Sequence, residues 1–413
     1  MNAERDRETR SENMTRSRII AAAIRAMGNR GIAGFTHRAV AEEGRISLAS
    51  LTYHFESKDD LIDKVSASIL DESSADFIAL RARVAKEATD RASFADLSTS
   101  IIAAAVSEQR EGTMAWLELM LHGGRDPEAA ARARKWFAAL HAIWTEIADL
   151  CGQPCPAQAA QSAIDQAAGF ILIAIGLGLE SQEILDVLRD GADPVTKWNT
   201  PARKQPDVTN QAKATPQSKL ETKAEQTRRL IVEAAMNCFV EEGMQNVGYR
   251  TIAERSGLSK SAPYYYFPKI ADLLRQAQSA LFEHSKERFR GVLAGTTITD
   301  ADGLADLTAA ILQREVTRFA LHNLANFSFW LEAGRDRELV PIVWAAVRDQ
   351  QEAWLRRLRQ AGLQPRPLDA LKLQANFAGM CLRLVATESS MSDIAEARRQ
   401  FRVALQTMGT RPF

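Results

Sequence analysis

Two short stretches concentrate polar chemistry of one kind. In the first, Ser47, Ala49, Ser50 and Thr52 precede Tyr53, His54 and Phe55. In the second, Ser259, Lys260, Ser261 and Ala262 precede Tyr264, Tyr265, Tyr266 and Phe267. Small and hydroxyl-bearing residues at the start of a helix let its end approach base edges in a DNA groove. Lys260 is the one charged side chain among them suited to a guanine edge. The tyrosine hydroxyls and the His54 ring suit phosphate oxygens, contacts that hold register without reading sequence. Thr36, Arg38, Lys58, Tyr249, Arg250 and Lys269 are further phosphate candidates, whereas Phe55 and Phe267 suit a small core.

These stretches are copies. Tyr53 and Tyr265 stand 212 residues apart, and the same offset pairs Gly31 with Gly243, Arg38 with Arg250, Ala41 with Ala253 and Leu61 with Leu273. A match at half the chain length marks a duplication. Each stretch needs helices to position it. Ile19, Ile20, Ala23, Ile24 and Met27 form one apolar face of a helix over 15–29, which Gly31 ends. Thr36 caps a short second helix, and Gly44-Arg45-Ile46 forms the turn. Ser47 caps a third helix to about Phe55, and Ser57 with Asp60 opens a fourth. A short helix, a tight turn and a second short helix, buttressed by a longer one, is a DNA-binding arrangement.

Residues Thr15 to Lys64 resemble the DNA-binding domain of TetR-type transcriptional repressors through Gly31, Phe35-Thr36, Arg38, Val40-Ala41, Ser47, Tyr53-His54-Phe55, Ser57-Lys58 and Leu61. Thr227 to Leu274 repeats the pattern with Phe239, Gly243, Arg250, Ile252-Ala253, Ser256-Gly257-Leu258-Ser259, Tyr264-Tyr265-Tyr266-Phe267 and Leu273-Leu274. Each copy departs from it. Arg45 stands where the family turns on glycine, and Thr52 replaces an aromatic residue. Gly248 takes the place of the Thr36-type cap, and Ile270 that of Lys58. The resemblance implies that Tyr53 and Tyr265 contact the DNA backbone.

Composition sets the frame. A chain of 413 residues, 46% hydrophobic and 25% charged, is long and apolar enough for at least two globular domains. Net charge is zero, so any basic surface is local. Four cysteines are too few for a disulfide scaffold and suit a cytoplasmic protein. The first residues carry no apolar signal segment, and the Gly169–Leu179 run is too short for a bilayer, which needs about 17–25 residues. No membrane partner is therefore expected. The scattered histidines give no metal spacing, and no phosphate loop, nucleophile elbow or cofactor motif appears.

The expected fold class is all-α, two TetR-like repeats packed as an intramolecular pseudo-dimer. The expected domains are a disordered arm at 1–14, a DNA-binding unit at 15–64, a helical regulatory domain at 65–189, a linker at 190–222, a second DNA-binding unit at 223–276 and a second regulatory domain at 277–413. The regulatory halves match at an offset of 210, as Gly124-Arg125-Asp126 and Gly334-Arg335-Asp336 attest. Stripes at helical spacing, with Trp136, Leu140, Ile143 and Ile147 in one half and Val343, Val347, Gln350 and Trp354 in the other, fit the paired helices that two TetR subunits contribute. Ordinary core packing explains them equally.

The resemblance further implies an effector pocket. Its candidates are Met114, Trp116, Leu119, Met120 and His122 in the first half, and Phe319, His322, Phe327, Phe329 and Trp330 in the second. Such a lining favours an apolar or aromatic small molecule. The partners expected are operator DNA and this effector, in a chain that is a monomeric pseudo-dimer, and the expected function is repression relieved by the effector. The alternatives are a sensor with one degenerate DNA-binding head and an all-helical enzyme, for which the sequence offers no catalytic constellation.

Overall fold

Periodic apolar residues and well-placed caps set the helices of this chain. A computed structural model describes residues 2–86, 93–204, 222–243, 247–293, 298–389 and 391–409, and every element within them is helical. The chain divides into two compact units, residues 1–167 with 386–388, and residues 168–385 with 389–413.

The first unit opens on α1 (Asn2–Gly34), which buries Ile19, Ala23 and Met27. The helix begins at Asn2, so the expected disordered arm at 1–14 is instead a helical extension. Glu12 and Arg16 stand at the acid-to-base i,i+4 spacing that favours helix. Gly31, at φ 67°, breaks the helical path in the left-handed region that glycine tolerates. Then come α2 (His37–Gly44), α3 (Leu48–His54), α4 (Lys58–Lys86), α5 (Phe94–Val106), α6 (Arg110–Gly123) and α7 (Pro127–Leu150). The Asp126 carboxylate caps α7 by accepting from the Ala129 amide at 2.8 Å, and Pro127 fills the first turn where no N–H is needed. α8 (Pro156–Leu177) starts in this unit and ends in the second.

The second unit holds the rest of α8, then α9 (Ser181–Leu188), α10 (Pro194–Trp198) and a 3₁₀ turn at Pro201–Arg203. It continues with α11 (Lys223–Glu242), α12 (Tyr249–Ser256), α13 (Ala262–Tyr266), α14 (Ile270–Leu293), α15 (Ala301–Thr317), α16 (Ala320–Arg335), α17 (Val340–Gln360), α18 (Pro367–Ala386) and α19 (Met391–Gly409). By length and composition α8 is apolar enough to cross a bilayer, yet most of it is buried within the protein, as in a core helix.

The expected linker at 190–222 starts later than its composition suggests. Trp198 is buried and donates its indole N–H to the Glu183 carbonyl at 3.1 Å. Arg203 is buried too, with its guanidinium on the Glu183 carboxylate at 2.8 Å and on the Leu177 carbonyl at 3.0 Å. One tryptophan and one arginine thus pin a proline-rich segment that carries little other apolar surface. Residues 205–221 lie outside the described set.

Small residues let helices of the two repeats meet. Inside the second unit, a Cβ on Gly169 of α8 would overlap the Ala375 carbonyl oxygen of α18 and lie 2.6 Å from its carbon, so α8 and α18 cross almost backbone to backbone. Gly176, near the end of α8, sits at Trp330 and Val343, a Cβ there lying 3.2 Å from each. Its counterpart 210 residues on is Ala386. Inside the first unit, the Ala386 carbonyl packs on Gly123, whose added Cβ would come within 2.5 Å of it and 3.4 Å of Ala133. Ala133 and Val343 are counterparts at the same offset. The end of each repeat's small-residue helix therefore rests on the corresponding helix pair of the other repeat, at counterpart positions on the second helix (Ala133 and Val343) and one turn apart on the first (Gly123 against Trp330, whose counterpart is Met120).

Candidate nucleic-acid interface and regulatory core

The two helix-turn-helix units place the same kinds of side chain by slightly different local means. In the first, the Thr36 hydroxyl accepts from the Ala39 amide at 3.1 Å and caps α2. Gly248 starts α12 without a side-chain cap. An N-cap of this kind contributes about 1 kcal/mol, so α12 depends more on packing than α2 does. The turn after each helix needs left-handed backbone. Gly257 adopts it at φ 67°, and Arg45 adopts it at φ 50° despite its Cβ.

Ser47 caps α3 by accepting from the Ser50 amide at 3.1 Å. In the second copy the recognition helix does not begin at Ser259, as the alignment of the copies suggests. Ser259, Lys260 and Ser261 form a turn, and α13 begins at Ala262. Pro263 has no N–H to give the Ser259 carbonyl, so the Ala262 amide bonds it at 3.0 Å in a tighter turn. Lys260 and Ser259 are exposed on that turn.

The exposed faces are aromatic and hydroxylic. Tyr53 is 76% exposed and Tyr265 79%, values unusual for rings of this size on a monomer surface. Tyr264 is exposed as well, while His54 and Tyr266 are half-buried. The Tyr53 ring stands edge-on to His54, and Tyr265 edge-on to Tyr266. Ala49 is exposed and Ser50 half-buried at the head of α3. Thr52 is exposed, but its hydroxyl donates back to the Leu48 carbonyl at 3.0 Å, leaving oxygen lone pairs rather than the proton for DNA. Phe55 and Phe267 are buried, as their place in the pattern suggests.

Arg38 and Arg250 are highly exposed, and each pairs with a glutamate four residues on, Glu42 at 3.3 Å and Glu254 at 3.0 Å. Hydrogen bonds from Arg30, then Arg38, hold the Glu42 carboxyl below its ordinary range. Exposed pairs of this kind are weak, so a phosphate can take over either arginine at little cost. Lys269 is exposed. Tyr249 donates its hydroxyl to the Phe267 carbonyl at 2.6 Å, and burial pushes its pKa up. Lys58 donates to the Ile32 carbonyl at 2.8 Å, and burial pulls its pKa down, so it braces the corner after α1.

Two arginines escaped the sequence reading. The Arg16 guanidinium lies over the Phe55 ring at 5.4 Å, and Arg228 over Phe267 at 4.3 Å. They stand 212 residues apart, so the repeat offset itself is the signal that could have found them.

The regulatory candidates divide by copy. In the first, Trp116 packs against Trp136 at 5.6 Å and Phe137 at 6.3 Å, while Leu119 and Met120 are buried. Met114 abuts Gly28 of α1, a Cβ there lying 3.3 Å from its own. His122 is half-buried, and burial lowers its pKa. On the same helix the Glu118 carboxylate accepts from the Ile32 amide at 3.1 Å. The Ile32 peptide, one residue past the Gly31 break, is thus held on its N–H by α6 and on its carbonyl by α4. In the second copy the matching positions are Ser328 and Ile270, so the carboxylate and the ammonium of that clamp are both absent from the sequence there. Phe327, Phe329 and Trp330 are buried, with Phe327 edge-on to Trp330. Phe319 and His322 meet at 5.6 Å beside Arg288, Arg314 and Glu315.

Known proteins place this arrangement. The family model described as "Bacterial regulatory proteins, tetR family" matches residues 19–65 and 231–277. The one described as "Tetracyclin repressor-like, C-terminal domain" matches 89–194 and 299–409. No curated protein matches the chain. One similar solved structure, "Crystal structure of multidrug binding protein EbrR complexed with imidazole", is 20% identical, with 45% of this chain and 96% of that one covered and a TM-score of 0.35. With the DNA-binding and C-terminal domains each matched twice over most of its length, the chain belongs to the TetR family of DNA-binding bacterial regulators, as a tandem of two repeats.

Proposed function

We propose that the chain is a repressor in which two unlike DNA-binding heads engage one operator and a small-molecule effector weakens that grip. The observation that carries the reading is the reciprocal packing of Gly176 and Ala386, counterparts themselves, on the corresponding helices of the other repeat. A surface that meets its own copy in equivalent registers is the mark of a two-fold pairing, here within one chain. The exposed tyrosines of both recognition segments support binding by both heads.

The operator should have two unlike half-sites. The first head offers Ser47, Ala49 and Ser50 to base edges, and the second offers Lys260. Footprinting with the adjacent promoter, followed by base substitution across the protected site, tests this. Protection of unlike half-sites by one chain per duplex is expected, and a perfect palindrome read identically on both sides overturns it.

Release would work as a population shift, the effector favouring a conformation that fits the operator less well. The Ile32 clamp is a physical route from α6 to the first head. Glu118→Ala leaves the Ile32 amide without that acceptor, which costs about 1–2 kcal/mol locally. Hydrogen exchange at Ile32 should therefore quicken by about tenfold, with far smaller changes in the α7 core. An unchanged Ile32 rate removes the clamp from the mechanism.

A further inference from the structure

The duplication supplies an internal control. One cluster in the second regulatory half has no counterpart in the first. Glu315 of α15 is fully buried and pairs with Arg288 at 3.1 Å and Arg314 at 3.5 Å. The Asn323 amide donates to the same carboxylate at 3.2 Å. The Phe319 ring lies under the Arg288 guanidinium at 4.3 Å and near that of Arg314 at 5.3 Å, with His322 edge-on to it at 5.6 Å. At the offset of 210, Arg314 and Glu315 become Ala104 and Ala105, while His322 and Asn323 become Gly112 and Thr113. The first copy makes the same helices without these charges, and Ala105 is simply buried. The fold therefore does not need the cluster, although burying a carboxylate is costly unless it is fully paired.

Its pairing is incomplete on both sides. Two guanidiniums face one carboxylate, which leaves an excess of positive charge. The Nε atoms of Arg288 and Arg314 are both buried and find no hydrogen-bond partner among the described residues, and neither does Oε1 of Glu315, which has only the 3.5 Å ion pair to Arg314. Unsatisfied buried polar atoms in a native protein mark strain, chemistry, or a place for a water or a bound ion, and the surplus guanidinium here favours an anion. Two N–H donors beside a flat ring, in positive surroundings, match the carboxylate and plane of an aromatic acid. Burial first, then Arg288, lowers the pKa of His322, so its ring adds polarity there without a second compensating charge.

We infer that the second regulatory half binds an aromatic monocarboxylate at Arg288, Arg314 and Phe319, and that the first half has no such site. This inference deepens the effector reading and rests on it. The test uses the full chain without DNA, with benzoate, neutral benzamide and inorganic phosphate as probes in calorimetry and thermal unfolding. Benzoate should bind once per chain and raise Tm, while benzamide and phosphate should each bind about tenfold more weakly or worse, for want of charge or ring. The triple variant R288A/R314A/E315A, which removes both guanidiniums together with the carboxylate they face, should lose the benzoate response and keep its Tm within a few degrees, since trading a whole buried ion-pair cluster for apolar residues is often neutral.

Equal binding of benzamide, equal binding of phosphate, no binding of benzoate, or benzoate binding retained in R288A/R314A/E315A each overturns the assignment. So does a triple variant that no longer folds, which would make the cluster structural. A chain that binds benzoate yet holds its operator regardless defeats the repressor reading alone. A chain released from its operator by another compound, but blind to benzoate, defeats this inference alone.

Discussion

Gly169→Leu should uncouple the paired helices of the two repeats and lower operator affinity by about a hundredfold or more, by analogy with overpacking in close-packed cores. The clash is with backbone. A Cβ at this site falls on the Ala375 carbonyl group and 2.9 Å from the Ala375 Cα, so no rotamer change relieves it and α18 must move. The flanking core gives it no room, for Leu172 and Ile173 on α8 and Leu371 and Ala378 on α18 are buried. Overpacking typically costs about 1–3 kcal/mol, and a forced helix displacement lies at or beyond the upper end. Urea unfolding and a gel shift on the same preparation measure both effects. A leucine variant as stable as the parent, with undiminished affinity, would refute the proposal that this crossing holds the heads in a DNA-competent arrangement.

The second large effect belongs to the recognition tyrosines. Removing both rings, as Tyr53→Ala with Tyr265→Ala, should weaken operator binding by about ten- to a hundredfold, since each lost hydrogen bond contributes about 0.5–1.5 kcal/mol. Stability should change little, because both side chains are more than three-quarters exposed. The salt dependence separates this from loss of a cation. A neutral phenol releases no counterion, so the slope of log affinity against log salt should hold, whereas Lys260→Ala should reduce it by about 1 if that lysine meets a phosphate. If the tyrosines only pack the domain, Tm falls in the double variant and affinity falls no further than folding explains.

Much of the architecture was legible because helices announce themselves locally. Gly31, Thr36 and Ser47 mark ends and caps at the positions where the structure uses them. The repeat offset did the rest, since the same signals recur in the second copy. What escaped depended on contacts distant in sequence. Nothing local tells that Trp198 and Arg203 fold back on Glu183. Lys58 looked like a free cation because its partner, the Ile32 carbonyl, is backbone and 26 residues away. Pro263 was visible, but its effect is a later start for α13, a matter of one missing N–H. The charged cluster at Glu315 draws on α14, α15 and α16 together, and only the fold brings Arg288 to it.

The matched seating of Gly176 and Ala386 also bears on how such a protein can change over generations. When two identical subunits pair, every substitution lands twice, once on each side of the axis. Here a substitution lands once, and the opposite surface keeps its old residue. Each half is free to drift in what it grips or senses while its companion stays constant. Because the halves are synthesised together, the contacts between these helices require no encounter between separate molecules.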